Sequence, residues 1–220
     1  MINFMSLEAV LWDMDGVLLD SSQQHLESWK RMFQTYGQTI KPGEMMRAFG
    51  MTNDQVIQSL TDEDIPKKQA DRMAKEKDAI FQELIRTQAQ FLPGVPRWLQ
   101  IFQRNGLYQV LASSGSPGNI DTILDSLQAR RYFDAIVSGD QLPSKPAPDV
   151  FVLAAHKAGV VPLHCIVIED SVAGVQAAKA AGMKCVAVTT TYPSLKLNDA
   201  DLVIENLACM RMEDIKRLWQ

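Results

Sequence analysis

The sequence predicts an α/β protein with a doubly wound parallel sheet and an inserted group of helices. Two observations carry this prediction. From about residue 107 onward, short apolar runs alternate with segments of helical spacing, which is typical of parallel strands joined by helical crossovers. Another apolar run ends just before Asp13, and residues 22–88, which separate it from the others, have only helical spacing.

The helical group is predicted from apolar residues that recur every three or four positions. Gly37 could end the first helix, Pro42 opens a short Met-rich helix, and a long charged helix spans 66–86. A loop at 49–54 precedes a further helix around 56–60. The residues on the inner sides of the first and long helices are Leu26, Trp29, Met32, Phe33, Tyr36, Ala70, Met73, Ala74, Lys77, Ile80, Phe81 and Leu84, whereas Met45, Met46 and Met51 are interpreted as packing.

The second half of the chain restarts after the Pro and Gly residues at 93–96. Gly182 is the expected end of the helix before the fifth strand. The predicted strands are 107–112, 135–137, 165–168, 185–188 and 202–204, and the helices between and after them are 119–127, 149–158, 172–181 and 212–219.

Composition limits the classes of function. The 220 residues can hold one large or two smaller domains, and 46% hydrophobic with 22% charged residues is ordinary for a soluble globular protein. A net charge of -4 and a pI of about 5.4 argue against nucleic-acid partners. No apolar run approaches the roughly 20 residues that span a bilayer, and no secretory signal is visible, so we expect no membrane partner.

The three cysteines predict the compartment. They cannot all pair with one another, and Cys165 and Cys185 lie in apolar runs. Buried thiols in a reducing environment are therefore expected, which favours the cytoplasm.

Two carboxylates mark the end of the first strand. Asp13 and Asp15 stand two residues apart, so a continued strand would bury two like charges on one face. Gly16 allows a sharp turn there, which would aim both acids into a cleft. Two close acids require a cation, a proton or a catalytic role.

Three later strands also end in polar groups. A hydroxyl-rich turn, 113–116, can hold an anion with Ser113, Ser114 and the backbone N–H of Gly115. Lys145 lies between prolines, and the segment 169–171 supplies two further acids. In parallel sheets, ligands bind beyond the carboxyl ends of the strands. Four carboxylates (Asp13, Asp15, Glu169 and Asp170) and a phosphate would need Mg²⁺ and Lys145 to offset their charge.

Four segments, namely Asp13 with Asp15, the turn 113–116, Lys145 and the acids at 169–171, resemble in this order the four motifs of the haloacid dehalogenase superfamily. The residues Asp20, Ser21, His25 and Trp29 resemble the start of the cap in its β-phosphoglucomutase-like branch. The resemblance implies a HAD-like Rossmannoid core at 1–21 and 89–220, with a helical cap domain at 22–88.

The resemblance also implies residue roles. Asp13 would be the nucleophile that becomes an aspartyl phosphate, and Asp15 the general acid and base. Ser113 and Lys145 would hold the phosphoryl group. Mg²⁺ would be held by Asp13, Asp170, Glu169 and the backbone carbonyl of Asp15, and His25 would couple cap closure to the general acid. Expected substrate or phosphate contacts are Ser114, Gly115, His25 and Asn53.

From the sequence alone, several of these residues could also have a purely structural role. Glu169 could cap a helix, His25 could be an exposed helical histidine, and Asp20 could be an N-cap or a hinge residue. Lys145 alone would be a solvated surface lysine.

The expected function is Mg²⁺-dependent hydrolysis of a small phosphorylated metabolite, such as a sugar phosphate. The alternative is a β-phosphoglucomutase, and a non-catalytic binding protein is a third possibility. Hydrolysis is favoured because Phe49, Asn53 and Ser116 replace cations of the mutase pattern. We expect a monomer or a small homo-oligomer.

Overall fold

The computed structural model describes residues 7–40, 52–61 and 65–219. The predicted short helix that opens at Pro42 lies outside these ranges, as do Phe49 and the methionines Met45, Met46 and Met51.

The described chain forms a six-stranded sheet in which every strand pair is parallel. In space the order is β3-β2-β1-β4-β5-β6. The first strand therefore lies in the middle, and its carboxyl end is flanked by those of β2 and β4. The strands are β1 (Ala9–Trp12), β2 (Tyr108–Ser113), β3 (Ala135–Ser138), β4 (Cys165–Glu169), β5 (Lys184–Val188) and β6 (Leu202–Ile204).

Helices connect and cover these strands. Most predicted elements are found within two residues of their expected ends. The helix predicted around 56–60 begins earlier, at Asn53 in the predicted loop, because Thr52 and Gln55 form a capping box at its start. Three short 3₁₀ turns, at 130–132, 162–164 and 194–196, were not predicted. Within the described ranges, no helix is both long and apolar enough to cross a membrane. The helices are α1 (Ser22–Thr35), α2 (Asn53–Leu60), α3 (Lys67–Gln88), α4 (Val95–Arg104), α5 (Pro117–Ser126), α6 (Asp149–Ala158), α7 (Val172–Ala180) and α8 (Met212–Arg217).

Side chains of β1 alternate between two hydrophobic clusters on opposite faces of the sheet. Val10 and Trp12 belong to a cluster that includes residues of α4 and α5. Ala9 and Leu11 belong to one that includes residues of α6 and α7. A strand buried on both faces reads as a continuous apolar run, as in β1. This arrangement confirms the predicted doubly wound α/β fold.

The helices between β1 and β2 have a hydrophobic cluster of their own. It is built by α1, α2 and the first half of α3, and it contains Trp29, in agreement with the prediction that this residue packs there. The second half of α3 differs, because Phe81 and Ile85 are buried in a cluster of the sheet. One helix thus joins the inserted helices to the rest of the chain.

Candidate active site

One cavity lies where the carboxyl ends of β1, β2 and β4 face the inserted helices. All ten residues that the sequence analysis selects for the site line this cavity. They are Asp13, Asp15, His25, Asn53, Ser113, Ser114, Gly115, Lys145, Glu169 and Asp170.

Strand register brings three of the acids together. Trp12 pairs with Ile168, so Asp13 and Glu169 follow side by side. Asp13, Glu169 and Asp170 each place one carboxylate oxygen within 4.8 Å of an oxygen of the other two. The ammonium of Lys145 donates to Asp13 Oδ1 at 2.5 Å and to Glu169 Oε1 at 2.7 Å. Lys145 is therefore a buried partner of the acids, and the interpretation as a surface lysine is wrong.

The charges in this group are not balanced within the protein. Burial, the largest cause, raises the pKa of Asp13 to about 7, although Lys145 opposes the rise. Burial and the neighbouring acids also raise the pKa of Asp170 well above its ordinary value. Burial lowers the pKa of Lys145, but Asp13 and Glu169 outweigh it and the net shift is upward. Three carboxylates around one ammonium form a donor set that fits a divalent cation such as Mg²⁺.

Glu169 and Asp170 are held in different ways. Glu169 Oε2 accepts the backbone N–H groups of Asp170 and Ser171, both at 2.7 Å. The hydroxyl oxygen of Ser171, not Glu169, caps α7 by accepting the N–H of Gly174 at 3.0 Å. Asp170 accepts a hydrogen bond from the hydroxyl of Thr191. Glu169 thus stabilises the turn after β4 and binds Lys145, and it also lies beside the carboxylates of Asp13 and Asp170.

Two glycines make room for these acids. A Cβ on Gly174 would lie 1.7 Å from Glu169 Oε1, and one on Gly16 would lie 1.9 Å from Asp170 Oδ2. Gly16 also has a φ of +79°, which side chains rarely adopt. Its N–H donates to the carbonyl of Leu19 at 2.8 Å and closes the turn after Asp15.

Asp15 has a different environment from Asp13. Its carboxylate accepts a hydrogen bond from the hydroxyl of Ser21, and His25 Nε2 lies 3.4 Å from the same oxygen. Burial raises the pKa of Asp15, but the interactions with His25, the hydrogen bond from Ser21 and the charge of Lys77 together outweigh burial, so the net shift is downward. The Asp15 carboxylate is not one of the three clustered acids, and metal binding by its backbone carbonyl stays a prediction.

His25 connects Asp15 to a buried lysine of α3. Its Nδ1 lies 3.2 Å from Lys77 Nζ, and its ring stacks on Phe81 with the centroids 4.1 Å apart. Burial and the Lys77 ammonium lower the pKa of His25, which keeps the ring neutral near pH 7. A neutral ring can donate from Nε2 to Asp15 while Nδ1 accepts from Lys77. His25 is thus not an exposed histidine.

Lys77 is a site residue that the sequence analysis did not select. Its side chain is 2% exposed, and its ammonium lies 4.9 Å from the centre of the Phe81 ring. The helical pattern does place Lys77 on the inner side of its helix. A lysine inside an apolar stripe was therefore the available signal, because lysine is almost never buried without a partner.

The turn after β2 supplies hydroxyl groups to the cavity. The buried Ser113 hydroxyl oxygen accepts the N–H of Gly115 at 3.0 Å, and Ser138 donates to the Gly115 carbonyl at 2.7 Å. Thr191 and Tyr192 also line the cavity and were not predicted. They follow β5, so the rule that ligands bind beyond strand ends could have found them.

Comparisons with known proteins agree with this geometry. The family model of the haloacid dehalogenase-like hydrolases matches residues 10–188. The chloroplastic 5-amino-6-(5-phospho-D-ribitylamino)uracil phosphatase of Arabidopsis thaliana is 30% identical over 94% of this chain, which spans 57% of that relative. The phosphorylated carbohydrates phosphatase of Thermotoga maritima is 32% identical over 81% of this chain and 83% of its own length.

A solved structure gives the same result for the fold. The β-phosphoglucomutase of Clostridium difficile has a TM-score of 0.88 and 25% identity to this chain, with 97% of this chain and 98% of that one covered. The family match runs from β1 to β5, and the four predicted motifs meet in one cavity between these strands. The chain therefore belongs to the haloacid dehalogenase-like hydrolase family.

Proposed function

We propose that this protein is a phosphatase that hydrolyses a small sugar phosphate through an aspartyl phosphate on Asp13. One observation carries the proposal. Two aspartates only two residues apart lie in different environments, Asp13 against Lys145 and Asp15 against Ser21 and His25. Titratable groups held apart in this way suit two different catalytic roles.

In the first step, an Asp13 carboxylate oxygen attacks phosphorus and the bond from phosphorus to the leaving oxygen breaks. Lys145, which contacts Asp13, would stabilise the negative charge on the transferring group. The leaving oxygen takes a proton from Asp15. The pKa of Asp15 is lowered in the free protein, so the negative charge of a bound phosphate would have to raise it before this step.

In the second step, water attacks phosphorus and gives its proton to Asp15, and the Asp13 carboxylate is released. The lowered pKa of Asp15 suits this role as a base. Asp13, Glu169 and Asp170 would hold Mg²⁺, which when bound would supply positive charge to offset the negative charge of the phosphoryl group.

The inserted helices would act as a cap. We assign residues 22–88 to this cap and residues 1–21 and 89–220 to the core, as the family resemblance implies. The contact between His25 of α1 and Asp15 supports the assignment, because it joins the cap to the proposed acid. Buried thiols at Cys165 and Cys185 support a reducing compartment, the cytoplasm.

Sugar phosphates are the favoured substrate class because the Thermotoga relative is named a phosphorylated carbohydrates phosphatase. The mutase remains the second candidate because of the Clostridium structure. Hydrolysis is favoured over it by the neutral side chains of Asn53 and Ser116 in the cavity. A mutase must hold a bisphosphate by its second phosphate, for which cations are the natural partners.

Phosphorus NMR distinguishes these two candidates. The protein is mixed with Mg²⁺, β-glucose 1-phosphate and a catalytic amount of glucose 1,6-bisphosphate. We expect inorganic phosphate to grow without accumulation of glucose 6-phosphate, because water can reach the aspartyl phosphate when no bisphosphate is retained. Fast and stoichiometric formation of glucose 6-phosphate would establish the mutase instead.

A further inference from the structure

A buried carboxylate of α3 collects the polar side chains at one end of the cavity. Asp78 Oδ1 accepts hydrogen bonds from Asn53 Nδ2 at 3.1 Å and from Asn119 Nδ2 at 2.8 Å, and Asp78 Oδ2 accepts the hydroxyl of Ser116 at 2.6 Å. Lys77 Nζ lies 3.3 Å from Oδ1. We call these five residues the Asp78 cluster. Asn53, Lys77, Ser116 and Asn119 all line the cavity, with Asp78 behind them.

Asp78 is ionised in this environment. Burial raises its pKa, but the ammonium of Lys77 and the hydrogen bonds of Ser116, Asn119 and Asn53 together outweigh burial and lower it. The side chain is 15% exposed, so solvent screens this charge only in part.

The cluster lies next to the position of the leaving group. Asp15 contacts His25, His25 contacts Lys77, and Lys77 contacts Asp78, with each of these distances between 3.2 and 3.4 Å. Since Asp15 is the proposed proton donor to the leaving oxygen, the leaving group would extend along the wall formed by His25, Lys77 and the Asp78 cluster. Along this run His25 is neutral, so once Asp15 is protonated as the acid, the Asp78 carboxylate and the Lys77 ammonium balance each other.

The hydrogen bonds of the Asp78 cluster also determine which donors and acceptors remain for a ligand. Ser116 gives its one proton to Asp78, so its oxygen can only accept. Asn119 donates one N–H to Asp78, and its oxygen accepts from Gln82 Nε2 at 3.1 Å. A hydroxyl group of a ligand can donate to the Ser116 oxygen, whereas a phosphate dianion has no proton to give and meets a Lys77 ammonium that is already paired with Asp78.

We propose that Asp78 is a specificity-determining residue, which selects monophosphates with an uncharged, hydroxyl-bearing leaving group and rejects a second phosphate. This proposal rests on the proposed phosphatase function. Asp78 does so by taking the one hydroxyl proton of Ser116, which leaves that oxygen as an acceptor, and by its own charge, which offsets the charge of Lys77.

The test compares the binding of two ligands that differ by one phosphate. Isothermal titration calorimetry measures the binding of glucose 6-phosphate and of glucose 1,6-bisphosphate, with Mg²⁺, to an Asp13→Asn protein, in which we expect no turnover during the titration. We expect the monophosphate to bind at least about tenfold more tightly. Adding Asp78→Asn should shift the ratio of the two affinities by about tenfold toward the bisphosphate, because it removes the negative charge that offsets Lys77.

The matched control is Asp71→Asn, which removes the same charge from α3 at an exposed position two turns earlier. It should leave the ratio unchanged. If Asp78→Asn weakens both ligands equally, the cluster only holds α3 against α5 and the proposal is wrong. If that variant does not fold, the ratio of the two affinities in the Asp13→Asn protein, which keeps Asp78, still tests the proposal. The proposal is wrong if the bisphosphate binds this protein as tightly as glucose 6-phosphate or more tightly. It is also wrong if glucose 6-phosphate does not bind. Failure of the phosphatase function is a separate result, the absence of phosphate release by the wild-type protein.

Discussion

Replacing Asp13 with asparagine is expected to lower kcat for phosphate release by about 10⁴-fold or more while the fold stays intact. The amide is nearly the same size as the carboxylate, and its oxygen can still accept the hydrogen bond from Lys145. An amide is a far weaker nucleophile toward phosphorus, so the covalent step is lost. Phosphate release from a phosphate ester with Mg²⁺ measures the effect.

The control for this variant is Asp140→Asn, which changes another carboxylate that lines the cavity. It should keep kcat within a small factor of the wild type. Circular dichroism and the midpoint of thermal unfolding establish that both variants fold. Near-wild-type turnover by the Asp13→Asn protein would refute the assignment of the nucleophile.

Removal of the metal or of Asp170 is expected to have the second largest effect. EDTA should abolish activity, because three buried carboxylates then face a phosphate with only Lys145 to balance them. Asp170→Ala should raise the Mg²⁺ concentration for half-maximal activity by about 100-fold or more. Glu169→Ala should raise it less, because Oε2 of Glu169 serves the turn and Oε1 binds Lys145.

A Mg²⁺ titration of the wild type and both variants checks this order. The Glu169→Ala protein should instead show the larger loss of thermal stability. Removing the Glu169 carboxylate leaves the Lys145 ammonium and the backbone N–H groups of the turn without one of their hydrogen-bond acceptors. Full activity in metal-free buffer would contradict a metal requirement. A larger metal effect from Glu169→Ala than from Asp170→Ala would reverse the assignment of the two acids.

The positions of the main site residues could be predicted because they depend on strand ends. Parallel strands bring their carboxyl ends to one edge, so Asp13, Ser113 and Glu169 had to meet once their strands were identified. The family resemblance rests on these same residues, and it is confirmed by the match over 10–188. The roles of the individual residues stay predictions until they are measured.

The Asp78 cluster could not be predicted in this way. Its residues come from α2, α3 and the start of α5, and nothing in the spacing of the sequence brings these segments together. The same is true of α3 as a whole, whose periodic pattern does not reveal that its two halves enter different hydrophobic clusters. Long-range packing decides both features, and a local pattern records only which side of a helix is buried.

The central claim is a covalent phosphoryl group on Asp13, and mass spectrometry tests it most directly. An Asp15→Asn protein is mixed with Mg²⁺ and p-nitrophenyl phosphate, quenched in acid and digested. p-Nitrophenolate leaves without a proton from residue 15, whereas the water step needs its carboxylate, so the intermediate should accumulate. We expect one phosphoryl group on the peptide that contains Asp13, and none when Asp13→Asn is added. Release of p-nitrophenol with no phosphoryl group on that peptide, or with one on another residue, would contradict the account.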